Sequence, residues 1–161
     1  MALVYLGIGS NLQPETKLAF ALQALKLLGK VQRVSAVYLT EPLGPQPQNW
    51  YHNMAVALET KLSPLDLLAA IKQIEQQAGR KPGPKWSARE LDIDILLYDS
   101  LTIDTVSLHI PHWELPNRKF ALQPLAEIAP TAIDPRSGKP IQQLLVECHD
   151  TLRIEKFHAH G

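Results

Sequence analysis

Strand-type and helix-type periodicities alternate along the first 98 residues in an order that few folds can satisfy. Residues 3–8, LVYLGI, form an apolar run of strand length, followed by a turn read at Gly9-Ser10-Asn11. Pro14 suits a first helical position, and Leu18, Leu22, Leu25 and Leu28 then recur at helical spacing until Gly29. Segments 31–40 and 51–60 are rich in β-branched and alternating residues and read as strands, separated by the loop 41–48. A second helix opens on Ser63 as N-cap, with Pro64 first and Asp66 three residues after the cap. Its stripe is Leu67, Leu68, Ile71, Ile74 and Ala78, and Gly79 closes it. A strand over 91–98 completes the order βαββαβ, the split βαβ or ferredoxin-like arrangement. The expected fold class is α+β, with helices packed on an antiparallel sheet and C-terminal additions. Those additions hold a loop HIPHW, a helical stretch at 121–128 interrupted by Pro124, and a turn at 134–138.

The 161 residues suit one domain spanning 1–161. Sixteen basic and sixteen acidic side chains leave a formal net charge of zero, so charge gives no reason to expect a nucleic-acid or membrane partner. A lone cysteine, Cys148, forms no intrachain disulfide, and the N-terminus lacks a signal-peptide pattern. No run approaches the ~20 apolar residues of a membrane span. The reading is a reduced, cytoplasmic protein, expected to be a monomer. Seven of its thirteen prolines crowd into 42–47, 82–84 and 111–116, where they mark shaped loops.

Within the strand at 91–98, Asp92 and Asp94 share one face, while Leu91, Ile93, Ile95 and Leu97 are expected on the other. Two like charges ~7 Å apart on one strand face repel, and aspartate is depleted in strands. A solvated edge would tolerate the pair. A hard cation such as Mg²⁺ would use it, because Mg²⁺ takes one or two carboxylates and completes its shell with phosphate oxygens.

The preceding segment bears on that choice. Residues 80–89, RKPGPKWSAR, carry Arg80, Lys81, Lys85 and Arg89 and no acid. Guanidinium forks and lysine point charges bind phosphate oxygens. A cation-rich loop leading into a carboxylate pair therefore suits a metal triphosphate, against the alternative of a solvated basic loop. The loop contains Pro82, Gly83 and Pro84 and little apolar material, so it is expected to be mobile until a polyphosphate binds. The P-loop pattern is absent, and Gly7-Ile8-Gly9 lacks the third glycine of a dinucleotide fingerprint, which leaves these glycines as turn residues.

The stretch GRKPGPKWSARELDIDILLYD at 79–99 resembles the signature of the 6-hydroxymethyl-7,8-dihydropterin pyrophosphokinase family. Further matches follow in order: GIGSNL at 7–12, TEPLGPQ at 40–46, YHNMAVALET at 51–60, PHWELPNRKF at 111–120 and PLAEIAP at 124–130. The resemblance implies transfer of diphosphate from ATP to the hydroxymethyl group of the pterin, giving AMP, in folate biosynthesis. It implies two Mg²⁺ ions held by Asp92 and Asp94, with Arg80, Arg89 and His112 on the phosphates. Glu75, Lys81, Lys85, Trp86, Ile95 and Arg118 are the implied nucleotide-side residues, with Trp86 on a closing lid. Without the family, Glu75 reads equally as a solvent-exposed helix residue. Thr40, Leu43, Tyr51, Asn53 and Phe120 are the implied pterin pocket, and their chemistry agrees. A flat heteroaromatic is held by aromatic faces and by an amide that offers donor and acceptor to its edge.

Two departures stand out. Ser87-Ala88 occupies a place where the family often has Gly-Pro, and Trp113 replaces a common tyrosine, so Trp113 is given no catalytic role. The pairs His109/His112 and His158/His160 lack a third ligand at useful spacing and are not read as metal sites. A Mg²⁺-dependent nucleotide hydrolase and a regulatory module that binds a metal nucleotide remain as alternatives, since fold alone does not separate them.

Overall fold

The computed structural model describes residues 1–42, 49–79 and 91–157. The first part of the chain runs β1 (Ala2–Ser10), α1 (Pro14–Leu25), β2 (Lys30–Val34), β3 (Tyr38–Thr40), β4 (Tyr51–Thr60), α2 (Pro64–Gln77) and β5 (Asp92–Tyr98). A short hairpin follows, β6 (Ile103–Asp104) and β7 (His109–Ile110), then a 3₁₀ turn at Leu115–Asn117. The chain continues through α3 (Lys119–Ile128), α4 (Ile141–Glu147) and β8 (Ile154–Lys156). The main sheet has the order β5-β1-β4-β3-β8, with β2 also paired to β4, and all its pairings are antiparallel. This is the expected ferredoxin-like order with one strand, β8, added at the edge. Among the described residues no helix is long and apolar enough to cross a membrane.

Local chemistry explains most boundaries. The Ser63 hydroxyl accepts the Asp66 N–H at 3.2 Å, a cap of the kind that stabilises a helix by about 1 kcal/mol. Gly79, at φ 98°, ends the α2 turn. The expected single strand at 31–40 divides because Ser35 turns its hydroxyl onto the sheet. Its N–H donates to the Ala55 carbonyl, while its Oγ accepts the Ala55 N–H at 2.8 Å. The first helix ends at Leu25, short of Gly29, and Gly29 serves a different purpose from the expected stop. A Cβ there would run into the Glu59 carbonyl, so glycine lets the chain pass close against the end of β4. The Thr60 hydroxyl then donates to the Leu28 carbonyl at 2.7 Å.

Both faces of the sheet are covered. Val4, Leu6 and Ile8, Met54, Val56 and Leu58, and Ile93 and Ile95 pack beneath α1 and α2. On the opposite face, Ala55, Ala57 and Leu97 pack against Leu122, Leu125 and Ile128 of α3 and Ile141 and Leu144 of α4. The C-terminal additions thus form a third layer. Pro124 lies inside α3 without ending it, and its missing N–H takes the Phe120 carbonyl out of the helical ladder.

One irregularity changes the expected faces of β5. Tyr5 pairs with Leu97 and Leu6 with Ile95, so Leu96 is an extra residue, a β-bulge. Beyond it the alternation reverses: Leu97 joins the core under α3, and Tyr98 joins the core under α2. Leu97 therefore does not share a face with Ile93 and Ile95.

Candidate active site

The centre of the sheet leaves a hollow on the α3 face. Gly9 pairs with Asn53 of β4 on one side and Asp92 of β5 on the other, and Gly7 pairs likewise with Ala55 and Asp94. Side chains two apart on a strand share a face, so the middle strand contributes none between Asn53 and the aspartates. The glycines are strand residues, which corrects the expected turn: β1 continues through Ser10. A Cβ at Gly9 would overlap the Asn53 carboxamide oxygen, and one at Gly7 would lie 3.3 Å from Leu96. Above this floor opens a cavity of about 210 Å³. Thr40, Tyr51 and Asn53 form one wall and Asp92, Asp94 and Leu96 the other, with Arg118 and Phe120 at the mouth of α3.

This geometry makes Gly9 sensitive. Gly9→Ala is expected to push the Asn53 amide off its position and raise the KM of whatever flat ligand it holds by about tenfold, the size of one hydrogen bond lost. Steady-state kinetics with each substrate varied in turn would check this; an unchanged KM for both substrates would remove Gly9 from the site.

The pocket wall is held by buried polar contacts. Asn53 is 7% exposed and donates from Nδ2 to the Thr40 Oγ1 at 2.7 Å, and Thr40 is 5% exposed. That contact fixes the plane of the amide. Two residues before Thr40, the Tyr38 hydroxyl donates to Glu127 Oε1 at 2.6 Å, and Glu127 Oε2 accepts the Ala36 N–H at 2.9 Å. Burial, then the bond to Glu127, push the Tyr38 hydroxyl up to about 12, so it stays a donor. The pair pins α3 to the start of β3, and Phe120 sits in the first turn of that helix.

The carboxylate wall has its own support. The His112 N–H donates to the Leu96 carbonyl at 3.2 Å, which ties the segment after β7 to the bulge. The His112 Nδ1 accepts the Glu114 N–H at 3.2 Å, so in the neutral ring the proton belongs on Nε2. Nε2 lies 3.8 Å from Asp94 Oδ1, beyond hydrogen-bond length but close enough for attraction when the ring is charged. The Arg118 Nε donates to Glu114 Oε2 at 2.9 Å, one turn earlier, which fixes the side chain where it lines the cavity. Among the described residues no three histidine, cysteine or acidic side chains form a self-contained metal cage. Two neighbouring carboxylates opening on a cavity suit instead a hard cation that draws its other oxygens from phosphate and water.

Other expected residues lie elsewhere. Glu75 is 7% exposed and is not solvent-facing; its Oε2 accepts the Ile93 N–H at 2.8 Å, and it does not line the cavity. The Ile95 side chain packs in the core under α1 and α2, on the face opposite the aspartates. His109 is engaged with Asp104 at 3.0 Å. Leu43, Arg80, Lys81, Lys85, Trp86 and Arg89, and with them the expected lid, lie outside the described residues. Cavity residues not expected from sequence are Gly7, Ile8 and Gly9 of the floor, and Glu41, Leu96, Ala121 and Leu152. The period-two spacing of Gly7 and Gly9 inside an apolar run was a legible signal for the floor. Leu152 had none: it arrives because β8 pairs with β3 and the backbones of Glu41 and Arg153 bond at 2.9 Å.

Residues 5–130 match the family described as 7,8-dihydro-6-hydroxymethylpterin-pyrophosphokinase (HPPK). A 2-amino-4-hydroxy-6-hydroxymethyldihydropteridine pyrophosphokinase of Pseudomonas aeruginosa is 40% identical over 148 residues, covering 90% of this chain and 91% of its own. The enzyme of the same name from Haemophilus influenzae is 42% identical over 140 residues, covering 85% and 88%. In three dimensions the chain is similar to the Plasmodium falciparum HPPK-DHPS wild type with pteroate, with a TM-score of 0.74 at 16% identity. That likeness covers 91% of this chain and 42% of the longer one, and at such identity it speaks for the fold.

Proposed function

The chain belongs to the 7,8-dihydro-6-hydroxymethylpterin-pyrophosphokinase family, and from that premise we propose that its cavity holds the pterin between Asn53 and Phe120 with its hydroxymethyl group toward Asp92 and Asp94. As a member, it transfers diphosphate from ATP to the hydroxymethyl group of 6-hydroxymethyl-7,8-dihydropterin in folate biosynthesis, giving AMP and the pterin diphosphate, and uses ATP with Mg²⁺. The observation that carries the placement is the glycine floor. Strands β4 and β5 flank β1, so the Asn53 and Asp92 backbones are roughly 9–10 Å apart, the width of a flat two-ring system lying over Gly7 and Gly9.

In this reading the Asn53 amide, held by Thr40, reads the ring edge, while Tyr51 and Phe120 supply the stacking faces. Leu43 joins them on the sequence pattern alone. Asp92 and Asp94 hold the Mg²⁺, two ions in our reading, which when bound neutralises phosphate oxygens and polarises the phosphorus under attack. The His112 ring, whose Nε2 lies 3.8 Å from Asp94 Oδ1, and the Arg118 side chain, which lines the cavity, donate to phosphate oxygens in this reading. Arg80, Lys81, Lys85, Trp86 and Arg89 are assigned to the nucleotide from their sequence pattern. Attack on the β-phosphorus passes through a loose transition state that asks for little prior deprotonation, so positioning by Asn53 and the rings supplies much of the rate. We take the chain as a single catalytic domain, monomeric and cytoplasmic.

Incubation with ATP, Mg²⁺ and the reduced pterin alcohol should yield AMP and pterin diphosphate in equal amounts. Manganese titration in the presence of a non-hydrolysable ATP analogue should show two bound ions per chain. ADP with a pterin monophosphate would mean attack at the γ-phosphorus. Free phosphate without pterin consumption would mark a hydrolase, and a single ion would leave one aspartate without the role given to it.

A further inference from the structure

Glu75 is a carboxylate in a place that electrostatics disfavours. It lies in the last turn of α2, where the helix carries partial negative charge, and it is 93% buried at a position where an apolar residue would continue the stripe of Leu67, Ile71 and Ile74. A group so placed is retained for what it bonds. Its Oε2 accepts the Ile93 N–H at 2.8 Å.

Ile93 stands between Asp92 and Asp94 on β5, and β5 is the edge of the sheet. In an antiparallel edge strand alternate amides point inward to the neighbour and outward to nothing in the sheet. The outward amide between the two aspartates is the one that Glu75 takes. The Ile93 side chain is anchored in the core under α1 and α2, whereas both aspartates face the cavity. A three-residue stretch is thereby fixed from three sides: by β1 through its register, by the core through Ile93, and by α2 through Glu75.

We propose that Glu75 is a positioning residue that sets the spacing and direction of Asp92 and Asp94 by holding the Ile93 amide, and that it acts on the metal nucleotide through this strand. The proposal rests on the reading of the aspartates as Mg²⁺ ligands. Two carboxylates that must approach a common cation repel until the cation arrives, so an edge strand carrying them gains from an outside tie. Glutamine keeps an oxygen acceptor of the same reach, and alanine does not, which separates geometry from charge.

Amide hydrogen exchange on the metal-free chain and the Mg²⁺ midpoint at saturating ATP analogue would be measured for Glu75→Gln, Glu75→Ala, Asp92→Asn and Asp94→Asn. Glu75→Ala should lose protection at Ile93 by about tenfold or more and raise the Mg²⁺ midpoint by a similar factor, with pterin affinity unchanged. Glu75→Gln should restore both to within about threefold of the parent. Melting curves accompany each variant, and the glutamine variant carries the test if alanine fails to fold. Unchanged Mg²⁺ dependence in Glu75→Ala, with a clear shift in the two asparagine variants, would overturn the positioning role alone. Loss of Mg²⁺ affinity in Glu75→Gln while Ile93 stays protected would overturn it too, because the charge itself would then be acting. No shift in either asparagine variant would overturn the metal reading and this proposal with it.

Discussion

Replacing Asp92 or Asp94 by alanine is expected to lower diphosphate transfer by about a thousandfold or more, equivalent to ~4 kcal/mol of transition-state stabilisation, and to leave the fold standing. The two outcomes come from one arrangement. Both aspartates face the cavity, opposite Ile93 and Ile95, so the core under α1 and α2 loses nothing when either carboxylate is removed. On the metal-free chain one of two like charges ~7 Å apart disappears, and the melting temperature should hold or rise slightly. If the pair holds the cation, the activity has no such reserve, because the remaining carboxylate would have to hold it alone while negative charge builds on the leaving AMP. Circular dichroism melts and product assays on the same samples decide it. Activity within tenfold of the parent would end the metal assignment, and a collapsed fold would mean that the strand itself depended on the pair.

The same strand shows how far a sequence can be read. Period two was enough to put Asp92 and Asp94 together, and it held as far as Ile95. It failed at Leu97, because the Leu96 bulge is a property of the pairing between β1 and β5 and leaves no mark in the strand's own composition. The order βαββαβ was legible because two helices with clear stripes, one capped by Ser63, separate runs of strand residues. The third layer was less so. Helix α4 has only seven residues and β8 three, too short for a periodicity to stand out, and both owe their place to contacts with α3 and β3. Glu75 stood out only through the family resemblance and otherwise read as a solvent-exposed helix residue, because its partner is a backbone amide eighteen residues away, and no side-chain pattern announces an amide. Gly7 and Gly9 were read by their commonest use, in turns, when their use here is to be absent from a strand face.

Asn53→Leu should lower kcat/KM for the pterin by about a thousandfold while leaving the affinity for the metal nucleotide unchanged. Leucine has nearly the same shape as asparagine, so the cavity keeps its volume and loses the amide. A ligand whose polar edge enters this wall must then bury donors and acceptors without partners, which costs more than the net value of the bonds that were lost. Part of the effect belongs to the protein: the Thr40 hydroxyl, 5% exposed, loses the Nδ2–H that it accepts at 2.7 Å. Thr40→Val separates the contributions, since it leaves Asn53 in place but without its tether, and a loss of about tenfold is expected from one neutral hydrogen bond. If Thr40 works only by orienting the amide, the double variant should be no worse than Asn53→Leu alone, because there is no amide left to orient. Pterin kinetics together with calorimetric binding of an ATP analogue on the three variants test this. Equal losses for both substrates would mean that the wall supports the whole site rather than reading the pterin edge. Additive losses would give the Thr40 hydroxyl a contact with the ligand in its own right.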